Sequence, residues 1–272
     1  MKRISITGAD ATGKTSLLKN LIELKASQVK VFFSPHFHKT EPHPLNSLSR
    51  VIEKINLIAN EKELRSLKAL ALLIGMTLYS EYEGFFAKKY QPKFLVSERH
   101  CIVDALAFFP VYRETIAGIG TKKIPWEQWL APLEYQELQN WMIKIASRIK
   151  GPSDEDPWQV LTNWIYQLTQ LDQMSLTKAW SDFYQCALPE RIIILTAEFS
   201  TLEKRIALRE KEQIGKKREW HEQGKGLLKL QESFLQTGLW LTENHLATVR
   251  VVKTDDVSSE NLAKKILFEE FI

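Results

Sequence analysis

The sequence predicts an α/β fold, a mostly parallel five-stranded sheet with helices on both faces. Two observations carry this. Apolar runs of strand length, Ile4–Thr7, Val29–Phe33, Phe94–Val96, Arg191–Leu195 and Thr248–Val252, alternate with longer segments of helical character. A glycine-bearing turn, GADATGKT, also joins the first run directly to a leucine-rich helical one.

Taken in order, the first strand is followed by room for one helix, Lys14 to Lys25. The second strand leads into a polar, proline-rich loop, Ser34 to Pro44, and then into two helical segments, Leu45 to Ala59 and Glu61 to Tyr90. The interval from Phe109 to Leu188 is too long for a simple crossover. It holds six of the eight tryptophans (Trp126, Trp129, Trp141, Trp158, Trp164 and Trp180) and is split by Gly151-Pro-Ser-Asp-Glu-Asp-Pro157. We read it as a helical insertion, about 110–188, whose halves hinge at that loop. Tryptophans at helical spacings more often pack a core than bind a ligand. The whole chain, 1–272, reads as a single domain carrying this insertion.

Composition limits the function classes. With 272 residues, 44% of them hydrophobic, the chain buries a core as one large domain or two small ones. Its 37 Lys and Arg against 33 Asp and Glu give a net charge of only +4, a mild bias toward anionic ligands that is too weak for a nucleic-acid partner. Cys101 and Cys186 lie far apart and form no metal or redox spacing, which fits a reduced, cytoplasmic setting. Met1-Lys2-Arg3 runs straight into ISIT without a signal-peptide stretch, and Ala69 to Tyr79 is too short to cross a bilayer, so no membrane association is expected.

GADATGKT fits the phosphate-binding spacing G-x-x-x-x-G-K-S/T, after a strand and before a helix. Backbone N–H groups must converge on a polyphosphate there, so glycine is needed where the chain turns tightly, and the helix start adds its positive end. The nucleotide-binding segment is therefore Gly8-Ala9-Asp10-Ala11-Thr12-Gly13-Lys14-Thr15-Ser16. Lys14 reaches the β and γ phosphates of ATP, and the Thr15 hydroxyl can ligate Mg²⁺. The motif implies the P-loop NTPase fold, yet it does not separate a kinase from a GTPase, a motor or a transporter subunit. Asp10 would repel the phosphates unless it pointed away from them. It therefore either faces a second substrate or stabilises the loop.

Here the chain resembles the thymidylate kinase family and, more broadly, the nucleoside and nucleoside-monophosphate kinases. That family's loop reads G-x-D/E-x-x-G-K-S/T, its acidic residue contacting the acceptor's sugar, and Gly8 to Thr15 fits it. A second match is FLVSERHCIVDALAF, where the family has a strand ending in D/E-R-Y/H/S and this chain has Glu98-Arg99-His100. A carboxylate at a strand's carboxyl end beside the loop is placed to hold Mg²⁺ hydration, and the adjacent arginine to neutralise phosphoryl charge; an ordinary surface pair is the other reading. The resemblance makes Arg50, opening a helix after Pro44, a candidate for the acceptor phosphate, alongside its reading as a solvated arginine. It makes RIIILTAEFSTLEKRIALREKE the fourth strand and a helix entering a lid, about 209–222, with Arg205, Arg209, Lys216, Lys217 and Arg218 as cations for transition-state charge, a solvated face being the other reading of that charge run. Thr254-Asp255-Asp256 would lie near the adenine, and a homodimer is implied by the family alone.

The resemblance covers about Met1 to Phe108 and Leu188 to Ile272. Two family features are missing. The arginine-bearing T-R-E-P-G motif after the second strand is replaced by Phe33-Ser34-Pro35-His36-Phe37-His38-Lys39, and LLIGMTLYSEYEGFF lacks the arginine that reads thymine. His36, His38 and His43 lack a third ligand at a persuasive metal spacing, so substrate contact or a solvated loop is expected. The resulting expectation is ATP-dependent phosphoryl transfer to a small acceptor, a nucleoside monophosphate. Its rivals are a nucleoside or other hydroxyl acceptor, and a nucleotide-dependent switch whose tryptophan-rich insertion binds a partner.

Overall fold

The structure is a computed structural model that describes residues 1–24, 28–117, 125–152, 154–212 and 225–271. Among these, β1 (Lys2–Thr7), β2 (Val29–Phe33), β3 (Phe94–Glu98), β4 (Arg191–Thr196) and β5 (Thr248–Lys253) form one sheet in the order β2-β3-β1-β4-β5. Every pairing is parallel, with Ile4 opposite Val96 on one side and Arg191 on the other. Parallel neighbours need crossovers, which the helices supply. These are α1 (Lys14–Glu23), α2 (Asn46–Glu61), α3 (Arg65–Met76), α4 (Tyr79–Tyr90), α5 (Cys101–Ala117), α6 (Trp126–Trp129), α7 (Pro132–Lys150), α8 (Pro157–Leu168), α9 (Gln173–Tyr184), α10 (Phe199–Glu212), α11 (Lys225–Glu243) and α12 (Ser259–Phe271). No helix of the described residues is long and apolar enough to cross a membrane.

The chain separates into two compact units. The first comprises Met1–Ser34, Glu81–Phe108 and Leu188–Ile272 and contains the sheet. Successive strand side chains point to opposite faces, and β4 shows the result. Ile193 and Leu195 join Ile4, Ile6, Leu17, Leu21, Val96 and Ile266 in the core under α1 and α12, while Ile194 meets α11 at Gly238. Sheet coverage on two faces is thus written in the alternation of one strand.

The second unit, Pro35–Ser80 with Phe109–Ala187, is helical. Trp180 is buried at its centre, stacked on Tyr184 at 5.5 Å and edge-on to Phe109 and Trp164. Trp141 is buried too and donates its indole N–H to Thr77 Oγ1 at 2.7 Å. The tryptophan-rich insertion therefore shares a unit with Pro35–Ser80, which local patterning does not reveal.

Strand limits differ from the expected ones by one or two residues, and two connecting segments differ in kind. The expected helical segment Glu61 to Tyr90 divides into α3 and α4 at Thr77-Leu78, where Thr77 Oγ1 turns back to the Ile74 carbonyl at 2.6 Å. The loop Ser34 to Pro44 contains a 3₁₀ turn, Phe37–Lys39, anchored by the fully buried Phe37.

Candidate active site

The loop from Gly8 to Thr15 leaves β1 with a backbone that only certain residues accept. Gly8 has φ 136°, and a Cβ there would lie 2.3 Å from the Leu195 carbonyl oxygen of the neighbouring strand. Gly13 has φ 93° and opens α1 without a side-chain cap. The first N–H groups of α1 thus remain available to an anion, with the helix dipole behind them. Thr12 Oγ1 braces the turn on the Ala9 carbonyl at 2.8 Å.

Lys14 turns its ammonium into this loop, donating to the carbonyls of Gly8 at 3.1 Å and Ala9 at 2.7 Å. Burial, reinforced by the nearby Arg99 charge, lowers its pKa to about 8 against the opposing pull of Asp10, Glu98 and Asp104. A polyanion offers this ammonium stronger, charge-assisted acceptors than two carbonyls. The Thr15 hydroxyl donates to Glu98 Oε1 at 2.7 Å, joining the first turn of α1 to the end of β3. A hydroxyl and a carboxylate, both hard oxygen donors, fit the few protein ligands that Mg²⁺ takes beside phosphate and water.

Arg99 follows Glu98 in the left-handed region, at φ 64°, with its N–H on the Ile6 carbonyl. That kink turns the strand end over the loop. Its guanidinium donates to Asp10 Oδ1 at 2.6 Å and to Asp104 Oδ2 at 2.7 Å, 5.5 Å above the Phe108 ring. Burial opposes its charge, but Asp104 and Asp10 outweigh burial and raise its pKa. Asp10 lies 3.9 Å from Lys14 as well, so the loop's acid is flanked by two cations.

Arg205, on α10, bridges the loop and the residue after β5. It donates to the Ala11 oxygen at 3.2 Å, to Thr254 Oγ1 at 3.0 Å and to the Thr254 oxygen at 2.6 Å. The Thr254 hydroxyl is also 3.1 Å from the carbonyls of Thr12 and Thr196, which ties the loop to the ends of β4 and β5.

The sheet unit therefore assembles Gly8 through Ser16, Glu98, Arg99 and Arg205, and places Arg209 in the last turn of α10. Arg50 is exposed on α2 in the helical unit, and Arg218 with most of the expected lid lies outside the described residues. In the loop after β2, His36, His38 and Lys39 all reach Glu53, at 3.0, 2.9 and 2.8 Å. The hydrogen bond from His36, reinforced by Lys39, takes the Glu53 pKa down to about 2. Sequence reasoning missed Asp104 and Thr7, joined at 2.8 Å; a lone acid in the apolar run IVDALAF was the available signal.

No family model matches the chain, and no curated protein matches it. Among solved structures, the chain path is similar to that of thymidylate kinase from Candida albicans, with TM-score 0.49 and 13% identity over 98% of this chain and 89% of that one. It is also similar to thymidylate kinase from Ehrlichia chaffeensis, with TM-score 0.45 and 14% identity over 98% of this chain and 97% of that one. Strand order, parallel register and the glycine turn between β1 and α1 together define an α/β fold of the P-loop kind.

Proposed function

We propose that this chain is an ATP-dependent kinase that moves the γ-phosphoryl group to a small acceptor, a nucleoside monophosphate as in thymidylate kinases. The observation that carries the reading is the 2.6 Å bond between Arg99 and Asp10. A plain triphosphatase has no need for an acid inside its phosphate cradle, whereas a kinase needs polar groups facing an acceptor. In this reading the loop amides and Lys14 hold the phosphates, and Thr15 with Glu98 would hold Mg²⁺, which would neutralise phosphate charge when bound. Arg99 meets charge on the transferred group, and Asp10 orients the acceptor. Arg205 keeps the loop in shape from behind, with Arg209 and Arg218 as further cations.

One observation favours a hydroxyl acceptor as the second reading. The basic groups after β2, where the family keeps an arginine for its acceptor, converge on Glu53. A panel of nucleosides and nucleoside monophosphates with ATP and Mg²⁺, read by ADP release and by the phosphorylated product, tests both. Transfer to monophosphates supports the first reading, and transfer to nucleosides alone supports the second. Hydrolysis that no acceptor accelerates would overturn both.

A further inference from the structure

We propose that Asp104 is a positioning residue for Arg99, and through it for Asp10; the inference rests on the kinase reading above. Arg99 stands where an L-residue is strained, a left-handed position that costs on the order of 1 kcal/mol. Its guanidinium has five N–H donors and no acceptor, so its direction is fixed by the acceptors that surround it. Two are carboxylates with unequal freedom. The Asp104 side chain is 7% exposed and the Asp10 side chain 22%.

Asp104 is held from several sides. Its Oδ1 accepts the Thr7 hydroxyl at 2.8 Å, from the last residue of β1, while its Oδ2 accepts Arg99 at 2.7 Å. It also belongs to the first turn of α5, where the helix dipole favours a negative charge. The order of contacts is therefore Thr7, Asp104, Arg99, Asp10: from a central strand, through a helix start and a strand end, to the phosphate loop. The Asp104 end is built on rigid elements, and the Asp10 end is the one that can change partners when an acceptor arrives. Phe108 adds an aromatic face to this end of the chain of contacts, its ring centre 5.5 Å from the Arg99 Cζ.

Asp104→Asn keeps the shape and removes the charge. The guanidinium then loses the carboxylate that balances Asp10, and the pair it already forms with Asp10 is no longer held in place from the α5 side. We expect the kcat for phosphoryl transfer to fall about 10- to 100-fold, with the KM for ATP within about threefold, because displacements near 1 Å at reacting groups have effects of that order. In an Arg99→Ala background the same substitution should change kcat less than about twofold, since the group it positions is gone. A merely structural role predicts additive losses in that cycle.

A second measurement needs no turnover. In the wild-type protein the Arg99 side-chain NMR signals should show hindered rotation of the guanidinium, and Asp104→Asn should average them while the rest of the spectrum stays folded. Additive kinetic losses, or Arg99 signals that Asp104→Asn leaves unaltered, would overturn the proposal. Absence of transfer by the wild-type enzyme to every acceptor would instead overturn the kinase reading, a separate outcome that the NMR measurement does not depend on.

Discussion

Lys14 holds a positive charge where burial opposes it, and its pKa of about 8 makes that tension measurable. A bound triphosphate favours the ammonium, so the free protein releases this proton at lower pH than the complex does. ATP affinity should therefore be flat below about pH 8 and weaken by about tenfold per pH unit above it. Titration calorimetry between pH 6.5 and 9.5 checks this, and a flat profile to pH 9.5 would contradict it. Glu83 presents the opposite case, a carboxylate of α4 whose Oε1 has no hydrogen-bond partner among the described residues. Burial raises its pKa from 4.5 to about 7, with Arg3 opposing and Glu190 assisting. The folded protein thus holds this proton more tightly than the unfolded chain. Stability should fall as pH rises from 4.5 to about 7 and remain lower above that. Glu83→Gln removes the penalty. It should raise stability at pH 8 by at most about 3 kcal/mol, worth several degrees in Tm, and change little at pH 4.

At the level of elements, α11 approaches the sheet at Gly238, where a Cβ would sit 2.5 Å from Ile194 Cδ1 and 3.0 Å from Val249 Cγ1. Gly238→Ala should cost about 1–3 kcal/mol through overpacking, despite the better helix propensity of alanine, and thermal unfolding measures it. A higher Tm would show that the two side chains yield without strain. Arg205→Ala should weaken ATP binding several-fold and lower stability by about 1–3 kcal/mol, because it strips a charged donor from the carbonyls of Ala11 and Thr254. Unchanged ATP affinity would limit Arg205 to a part outside the loop. Much of this level was legible in the sequence. Strand starts such as Val29 and Phe94 follow from apolar runs, and Gly8 and Gly13 announce the turn. What was not legible depends on contacts far apart in the chain. Glu98 was read as a strand end, but the partners that hold it there, Phe33 of β2 on one side and Ile6 of β1 on the other, were not. The α3–α4 break depends on a hydroxyl, Thr77, that local propensity reads as one more helix position. Asp104 looks like a misplaced acid until Thr7 and Arg99 stand beside it.

For the molecule as a whole, the parallel sheet could be anticipated from alternation, whereas the membership of the helical unit could not. Lys54 meets Glu134 at 2.6 Å, Ser47 meets Glu137 at 2.7 Å and Trp141 meets Thr77 at 2.7 Å, and no periodicity marks these pairs. The sheet unit alone carries the phosphate loop, Glu98, Arg99 and Arg205, so nucleotide binding should be a property that this unit's chemistry governs. The most direct measurement is calorimetric titration of wild-type protein and Lys14→Ala with ATP and Mg²⁺, with circular dichroism showing both folded. The expected result is saturable one-to-one binding by the wild type that weakens at least about tenfold in Lys14→Ala, the loss of a charge-assisted contact to phosphate. A folded wild-type protein that binds no triphosphate, or a variant that binds it equally well, would contradict the assignment of the first turn as a triphosphate cradle.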